Sequence, residues 1–274
     1  MPRPLPDLPF SLSSSWTAYP RAIALLSGTK PPEKGARLRE LDAWMHAELG
    51  AAMRGRGSIT KDELLKVLEW KLLRGKNRPF LPAQVRANPP ALVEQASKAA
   101  FEKLSSSTTG KEGEKAEPDQ RHILDALKEL CVLKGVGPAT ASAILTAHTP
   151  SIPFMSDESL TTFLYPPPAK IAYTHAAYVA LLPALSDMAV DLNEGEGQWT
   201  AGKVERAVWA GCVLRDLGGD GDVEGEGEGE GQGGGKGNKK RGAETETVQP
   251  KDDEGSAGKS VASGRPKRAR TAAK

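Results

Sequence analysis

Apolar residues recur at helical spacing through most of this 274-residue chain, and this periodicity limits its fold more than any other feature. They repeat every three or four positions, in segments that glycine and proline interrupt. No segment alternates apolar and β-branched residues over a length that predicts a strand. The sequence therefore predicts an all-α fold of roughly eight to ten helices, forming one multi-helix domain over residues 34–218.

Local signals predict where the helices of this domain begin and end. The apolar spacing over residues 34–53 predicts one helix, and Thr60 followed by Glu63 forms a capping-box pattern that opens the next. Gly75 is expected to end that second helix. Later helices are predicted to begin near Pro90, Asp119, Pro138, Ser156, Thr174 and Thr200.

The segments outside these helices have a different composition. Residues 1–33 contain many Pro and Ser residues and predict an extended N-terminal arm, and residues 105–117 predict a mobile loop. After Gly218 the chain becomes a Gly/Glu-rich, low-complexity segment followed by a basic cluster. Because such a segment buries too little apolar surface to offset its ordering entropy, residues 219–274 predict a disordered tail.

Charge and cysteine content exclude several classes of protein. The net charge is only +2, so a nucleic-acid site would have to be local. The only cysteines, Cys131 and Cys212, cannot form a disulfide framework or a Cys-rich metal site, and the four histidines have no ligand spacing. The chain also lacks a membrane span and a secretory signal. We expect an intracellular monomer with no metal, cofactor or membrane partner.

The segment LKGVGPATASAIL, residues 133–145, predicts a tight turn between two helices. Its two glycines tolerate positive φ. The backbone amides of the turn and of the first turn of the next helix are then expected to point the same way, at the positive end of that helix, and to bind a phosphate. The alternative is an ordinary hairpin of two helices with a glycine turn. The predicted contacts are Lys134, Gly135, Val136, Gly137 and Thr140.

This segment resembles the hairpin of the helix-hairpin-helix-GPD superfamily of DNA base-excision glycosylases. The resemblance is specific over residues 133–160 and implies that the hairpin holds a backbone phosphate of double-stranded DNA. In the superfamily a Gly/Pro-rich loop and a catalytic aspartate follow the hairpin. Here that loop is HTPSIPFMS and the aspartate is Asp157, which comes 22 positions after Gly135 (157 − 135).

The resemblance implies that Asp157 faces the sugar of a flipped nucleotide and stabilises its positive charge or activates water. Members with lyase activity carry a hairpin lysine where this chain has Ala139, so the resemblance implies a monofunctional glycosylase without lyase activity. Two alternatives remain open. In the first, Asp157 or Ser156 serves only as a helix N-cap. In the second, the domain is a non-catalytic helix-hairpin-helix module that binds DNA or protein.

A basic stretch before the hairpin predicts a second contact with DNA. Its pattern W-K-x-x-R-G-K-x-R-P is similar to one in a eukaryotic branch of proteins that share the V-G-P-A-T-A-S hairpin. Cationic side chains would bind phosphates and the tryptophan would stack on a base. The alternative is a solvated helix end with Trp70 in the core. The candidates are Trp70, Lys71, Arg74, Lys76 and Arg78. Asp157 is expected to share a cleft with Trp70, Phe80 or Tyr165.

The C-terminal residues are strongly basic. Gly264, Arg265 and Pro266, followed by Lys267 and Arg268, resemble half of an AT-hook, which lies in the minor groove of A·T-rich DNA. The favoured interpretation of the same residues is a nuclear localisation signal that binds the import machinery. Both interpretations predict a nuclear protein.

Overall fold

The computed structural model describes residues 6–106, 118–194 and 198–218, and within these ranges the chain forms helices and no strand. The all-α prediction is therefore confirmed for this part of the protein. The helices are α1 (Leu12–Thr17), α2 (Tyr19–Gly28), α3 (Pro32–Ala47), α4 (Leu49–Arg56), α5 (Lys61–Arg74), α6 (Leu81–Arg86), α7 (Pro90–Ser105), α8 (Gln120–Leu130), α9 (Pro138–His148), α10 (Asp157–Phe163), α11 (His175–Asn193) and α12 (Ala201–Leu217).

The capping residues begin the helices where the sequence predicts. At α5 the Thr60 hydroxyl accepts from the Glu63 amide at 3.3 Å, and the Glu63 carboxylate accepts from the Thr60 amide at 2.8 Å. This reciprocal pair is the predicted capping box. Four other predicted helices begin with a side chain that accepts from the amide three residues on, namely Asp119, Ser156, Thr174 and Thr200. Ser11 caps α1 in the same way, although no helix was predicted there.

Helix α9 lies in the centre of the core and packs against α4, α5 and α8. Its residues from Ala139 to Ala147 are all buried, and most of them have small side chains. Small side chains allow neighbouring helices to approach closely, and Gly50 of α4 lies directly against the Ala147 carbonyl. This close packing holds α9, which follows the predicted hairpin, within the core.

The prediction of an extended arm over residues 1–33 is wrong for the part that the structure describes. This part contains α1 and α2, and Tyr19, Ala22 and Ile23 are buried against α12. The Tyr19 hydroxyl also donates to Asp42 at 2.8 Å. Pro20 stands in the first turn of α2, where its missing N–H removes no helical bond, so proline here is compatible with a helix.

Two further differences concern the number of helices. Residues 34–53 form parts of two helices, because the chain turns at Glu48 to bring α4 against α9. The short helix α6 was not predicted, and the described residues form twelve helices.

Most of the predicted mobile loop, residues 107–117, and the whole predicted tail, residues 219–274, lie outside the described residues. The interpretations of Arg265, Lys267 and Arg268 stay predictions.

Candidate functional site

The predicted hairpin joins α8 to α9 through two glycines with different roles. Gly135 has φ +76°, in the left-handed region that favours glycine. A Cβ at this position would lie 2.9 Å from the Gln84 Cβ and 3.1 Å from a methyl of Val85. Gly137 is extended and exposed, and a Cβ there would meet nothing within 4 Å. Backbone conformation and packing therefore both require glycine at position 135, whereas Gly137 leaves the backbone accessible.

The backbone amides of this turn differ in their hydrogen bonding. The Val136 amide donates to the Leu133 carbonyl at 3.1 Å, and the amides of Thr140 and Ala141 donate to the Gly137 carbonyl at 2.9 Å. Among the described residues, the amides of Gly135 and Gly137 have no acceptor. Unpaired amides at the start of a helix are suited to bind an anion.

Asn88, which the sequence analysis did not single out, holds the turn from the side of α6. Its side-chain amide donates to the Lys134 carbonyl at 2.9 Å, and its oxygen accepts from the Lys134 amide at 2.9 Å. Asn88 is itself buried. This pair of bonds fixes the hairpin to the segment that joins α6 to α7. Because the two residues are 46 positions apart, no local pattern predicts the contact.

The structure contradicts two of the predicted DNA contacts in the basic stretch. Trp70 is 0% exposed, and its indole N–H donates to Asp42 at 2.9 Å, so it cannot stack on a base. The Arg74 side chain is 3% exposed and pairs with Glu205 at 3.4 Å, so it is not available to a backbone phosphate. The core alternative for Trp70 is the correct one.

The remaining predicted contacts fall into two groups. Val136 and Thr140 have buried side chains, and their amides already donate within the turn, so the structure contradicts both as DNA contacts. Lys134, Lys76 and Arg78 are exposed, and Lys71 is partly buried. The exposed cations stay compatible with phosphate binding.

The hairpin and the basic stretch enclose a cleft of about 440 Å³. This volume lies within the usual range for small-molecule sites. Exposed residues surround its opening, and we call them the rim: Lys76, Arg78, Phe80 and Gly137. Less accessible residues form what we call the inner wall, namely the buried Arg74, Phe154 and Trp209 and the partly buried Glu158. Asp157 also lines the cleft, as predicted. Of its predicted neighbours, Phe80 shares the cleft, whereas Trp70 and Tyr165 do not line it.

Asp157 is the first residue of α10, and its carboxylate is not the N-cap of that helix. The Ser156 hydroxyl is the cap and accepts from the Ser159 amide at 3.3 Å. The Asp157 carboxylate instead accepts from the Tyr173 hydroxyl at 2.7 Å. Of the two predicted capping residues, Ser156 is thus confirmed and Asp157 is excluded. The sequence analysis did not identify Tyr173, which is 16 positions away.

Charged groups near Asp157 affect one another across the cleft. Burial lowers the pKa of Lys71, and the charge of Arg78 lowers it further, while Asp157 opposes both effects. Burial and the bond to Asp157 raise the pKa of Tyr173, so this hydroxyl stays a donor at neutral pH. The Arg78 guanidinium lies 5.4 Å from the centre of the Tyr173 ring. The site thus brings together the Asp157 carboxylate, the Tyr173 hydroxyl that donates to it, and the cations Lys71 and Arg78.

The inner wall is built around the buried Arg74 guanidinium. Its carbon lies 4.0 Å from the centre of the Trp209 ring and 5.3 Å from that of Phe154. Its only carboxylate partner within ion-pair distance among the described residues is Glu205 of α12, which is also buried. Glu205 was not among the predicted site residues. The signal that could have identified it is an acidic residue followed by the mainly apolar residues of α12.

Glu158 completes the inner wall and was also missed. It follows Asp157 directly, and burial raises its pKa to about 7. The charge of Arg74 opposes this shift, whereas the carboxylates of Asp157 and Glu205 add to it. Glu158 is therefore partly protonated at neutral pH.

Neither a metal centre nor a membrane helix is found in the described part of the chain. No group of three His, Cys, Asp or Glu side chains within it has an arrangement that holds a metal ion. None of the described helices has the length and apolar character that crossing a bilayer requires.

Comparison with protein-family models, curated proteins and solved structures finds no match to this chain.

Proposed function

We propose that this protein binds double-stranded DNA and removes a damaged base by hydrolysing its N-glycosidic bond. One observation carries the proposal: the Asp157 carboxylate, which does not cap its helix, lines the same cleft as Gly135 and Gly137 of the hairpin. A phosphate held by the hairpin amides would bring the adjoining sugar to the cleft. The basic residues Arg265, Lys267 and Arg268 favour nuclear DNA as the substrate.

In this proposal the flipped nucleotide enters the cleft between the hairpin and the basic stretch. The amides of Gly135 and Gly137 bind one phosphate, and Lys134, Lys76 and Arg78 neutralise others. Asp157 stabilises the positive charge that develops on the sugar as the base leaves, and then accepts a proton from the attacking water. Tyr173 orients the carboxylate through its hydrogen bond.

The proposed reaction ends at base release. Ala139 stands where a hairpin lysine would form a covalent imine with the sugar, so the hairpin supplies no amine at that position. We expect no strand cleavage and no borohydride-trapped adduct on a duplex with an abasic site. A trapped adduct that disappears in Lys71→Arg would contradict this expectation, because Lys71 is the lysine beside Asp157 in the cleft.

The test of the proposed function is excision from a panel of duplexes that each carry one damaged base. Asp157→Asn should lower the excision rate by about 100-fold or more, since it removes the charge and the proton acceptor. The matched control is Asp216→Asn, an exposed aspartate of α12 outside the cleft. Equal rates for the wild type and Asp157→Asn would refute the proposed role of Asp157.

The hairpin favours a second candidate, a DNA-binding module without catalysis, because its free amides and cations would hold DNA without Asp157. Binding alone is tested with Gly137→Pro, which removes one amide, against Gly137→Ala, which keeps it in open space. We expect about a tenfold loss of affinity in the first variant and little change in the second. Lys134→Ala should reduce the slope of log affinity against log salt by about 1. Binding without excision by the wild type would select the module.

A further inference from the structure

Two carboxyl groups that are adjacent in the sequence line the same cleft in different surroundings. Asp157 receives a hydrogen bond from Tyr173 and lies near the cations Lys71 and Arg78. Glu158 belongs to the inner wall, whose other members are the buried Arg74, Phe154 and Trp209.

Charged and titratable groups from several elements act on Glu158. The Arg74 guanidinium of α5 favours the carboxylate, whereas the carboxylates of Asp157 in α10 and Glu205 in α12 favour the protonated form. Cys212 of α12 is also close enough to interact electrostatically with Glu158. Burial is the largest of these influences and raises the pKa of Glu158 to about 7. The cleft thus has two adjacent carboxyl groups, of which Glu158 has a raised pKa.

Two carboxyl groups in one cleft are the usual arrangement for breaking a glycosidic bond, one acting on the sugar and one on the leaving group. The inner wall is also the surface that a flipped base would contact. Phe154 lines that surface with an aromatic ring, and Glu158 supplies a polar group at its edge.

We infer that Glu158 is a catalytic acid, which donates its proton to a ring nitrogen or carbonyl oxygen of the departing base. The inference rests on the proposed function and adds a second catalytic residue to it. The C1′–N bond breaks, its electron pair moves to the base, and the proton from Glu158 neutralises the charge there. Water then adds to C1′ and transfers a proton to Asp157. Exchange with solvent returns Asp157 to the carboxylate and Glu158 to the acid.

The inference names a substrate class. A base that leaves as an anion needs the proton, whereas a purine alkylated at N7 is already cationic and leaves as a neutral molecule. Hypoxanthine represents the first kind and 7-methylguanine the second. Glu158 should therefore matter for the first class of base and not for the second.

The experiment measures single-turnover excision of both bases from otherwise identical duplexes, between pH 5 and 9, with wild type and Glu158→Gln. For hypoxanthine, or whichever neutral base the panel identifies, we expect Glu158→Gln to lower the rate by about 100-fold. The wild-type rate should fall above about pH 7, and the variant should lack this decrease. For 7-methylguanine the two proteins should differ little.

An activity-independent measurement separates a chemical from a structural role. Because the pKa of Glu158 is raised from 4.5 to about 7 by folding, its contribution to stability is present below pH 4.5 and lost as the pH rises to 7. The melting temperature of Glu158→Gln should therefore depend less on pH in this window. Glu102→Gln, an exposed residue of α7, is the control and should behave as the wild type.

Each outcome decides the inference. If Glu158→Gln flattens the stability profile but excises a neutral base at the wild-type rate, Glu158 is only a buried acid and the inference is overturned. If it slows both bases equally, proton donation is also rejected. If the wild type excises no base in the panel, the proposed function fails and the inference fails with it. If Asp157→Asn loses activity but Glu158→Gln keeps it, the proposed function is supported and the role of Glu158 is rejected.

Discussion

The rim and the inner wall of the cleft are built in opposite ways. Residues of the rim, such as Phe80 and Gly137, are exposed, and a change there disturbs few contacts. Residues of the inner wall, such as Arg74 and Trp209, belong to the core and pack against helices that are distant in sequence. The comparison indicates that binding at the rim can change independently of stability, whereas changes at the inner wall affect folding as well.

Arg74→Met is the strongest test of this difference. The substitution keeps an apolar side chain against Trp209 but leaves Glu205 buried without its partner. Breaking one side of a buried pair costs about 3–5 kcal/mol, and we expect this loss in the free energy of unfolding measured with urea. The double variant Arg74→Met/Glu205→Gln should recover part of the loss. Equal stability of Arg74→Met and wild type would show that the inner wall is not part of the core.

Gly135→Ala tests the one position near the rim where folding should depend on the residue. Positive φ and the close approach of Gln84 and Val85 predict a loss of about 1–3 kcal/mol in the free energy of unfolding. Gly137→Ala is the matched control and should change it by less than about 0.5 kcal/mol. Thermal or urea unfolding measures both variants. If they lose equal amounts, the two glycines do not have the separate roles described.

Phe80→Ala should have the smallest effect and should act on binding alone. Phe80 is 77% exposed at the rim, where an aromatic ring is placed to stack on a base of the opened duplex. We expect a loss of about 1 kcal/mol in DNA-binding free energy, measured by fluorescence anisotropy, with unchanged stability. Val190→Ala is the control, since Val190 is exposed on α11 and does not line the cleft. A destabilised Phe80→Ala protein would contradict the distinction between rim and wall.

Local signals in the sequence predicted the backbone of the site. The capping box at Thr60 and the glycine turn at Gly135 each depend on residues within a few positions, and the structure contains both. The Pro and Ser content of residues 1–33 misled the same reasoning, because it carries no information about the apolar face of α2 that packs on α12.

The side-chain partners at the site could not be predicted in this way. Arg74 meets Glu205 across 131 positions, and Asn88 meets Lys134 across 46. Such contacts exist only after α5, α9 and α12 have packed. This is why Arg74 resembled a phosphate contact in the sequence, although its charge is directed into the protein.

The pair of bonds between Asn88 and Lys134 has a mechanical consequence. It joins the hairpin to the segment that follows Phe80 and α6, so the spacing between the free amides and the exposed aromatic ring is set when the chain folds. In the proposed complex the protein would therefore present two fixed points to the duplex. The nucleic acid would have to bend or open to reach both, and duplexes that are already weakened at a damaged base would do so at the lowest energetic cost.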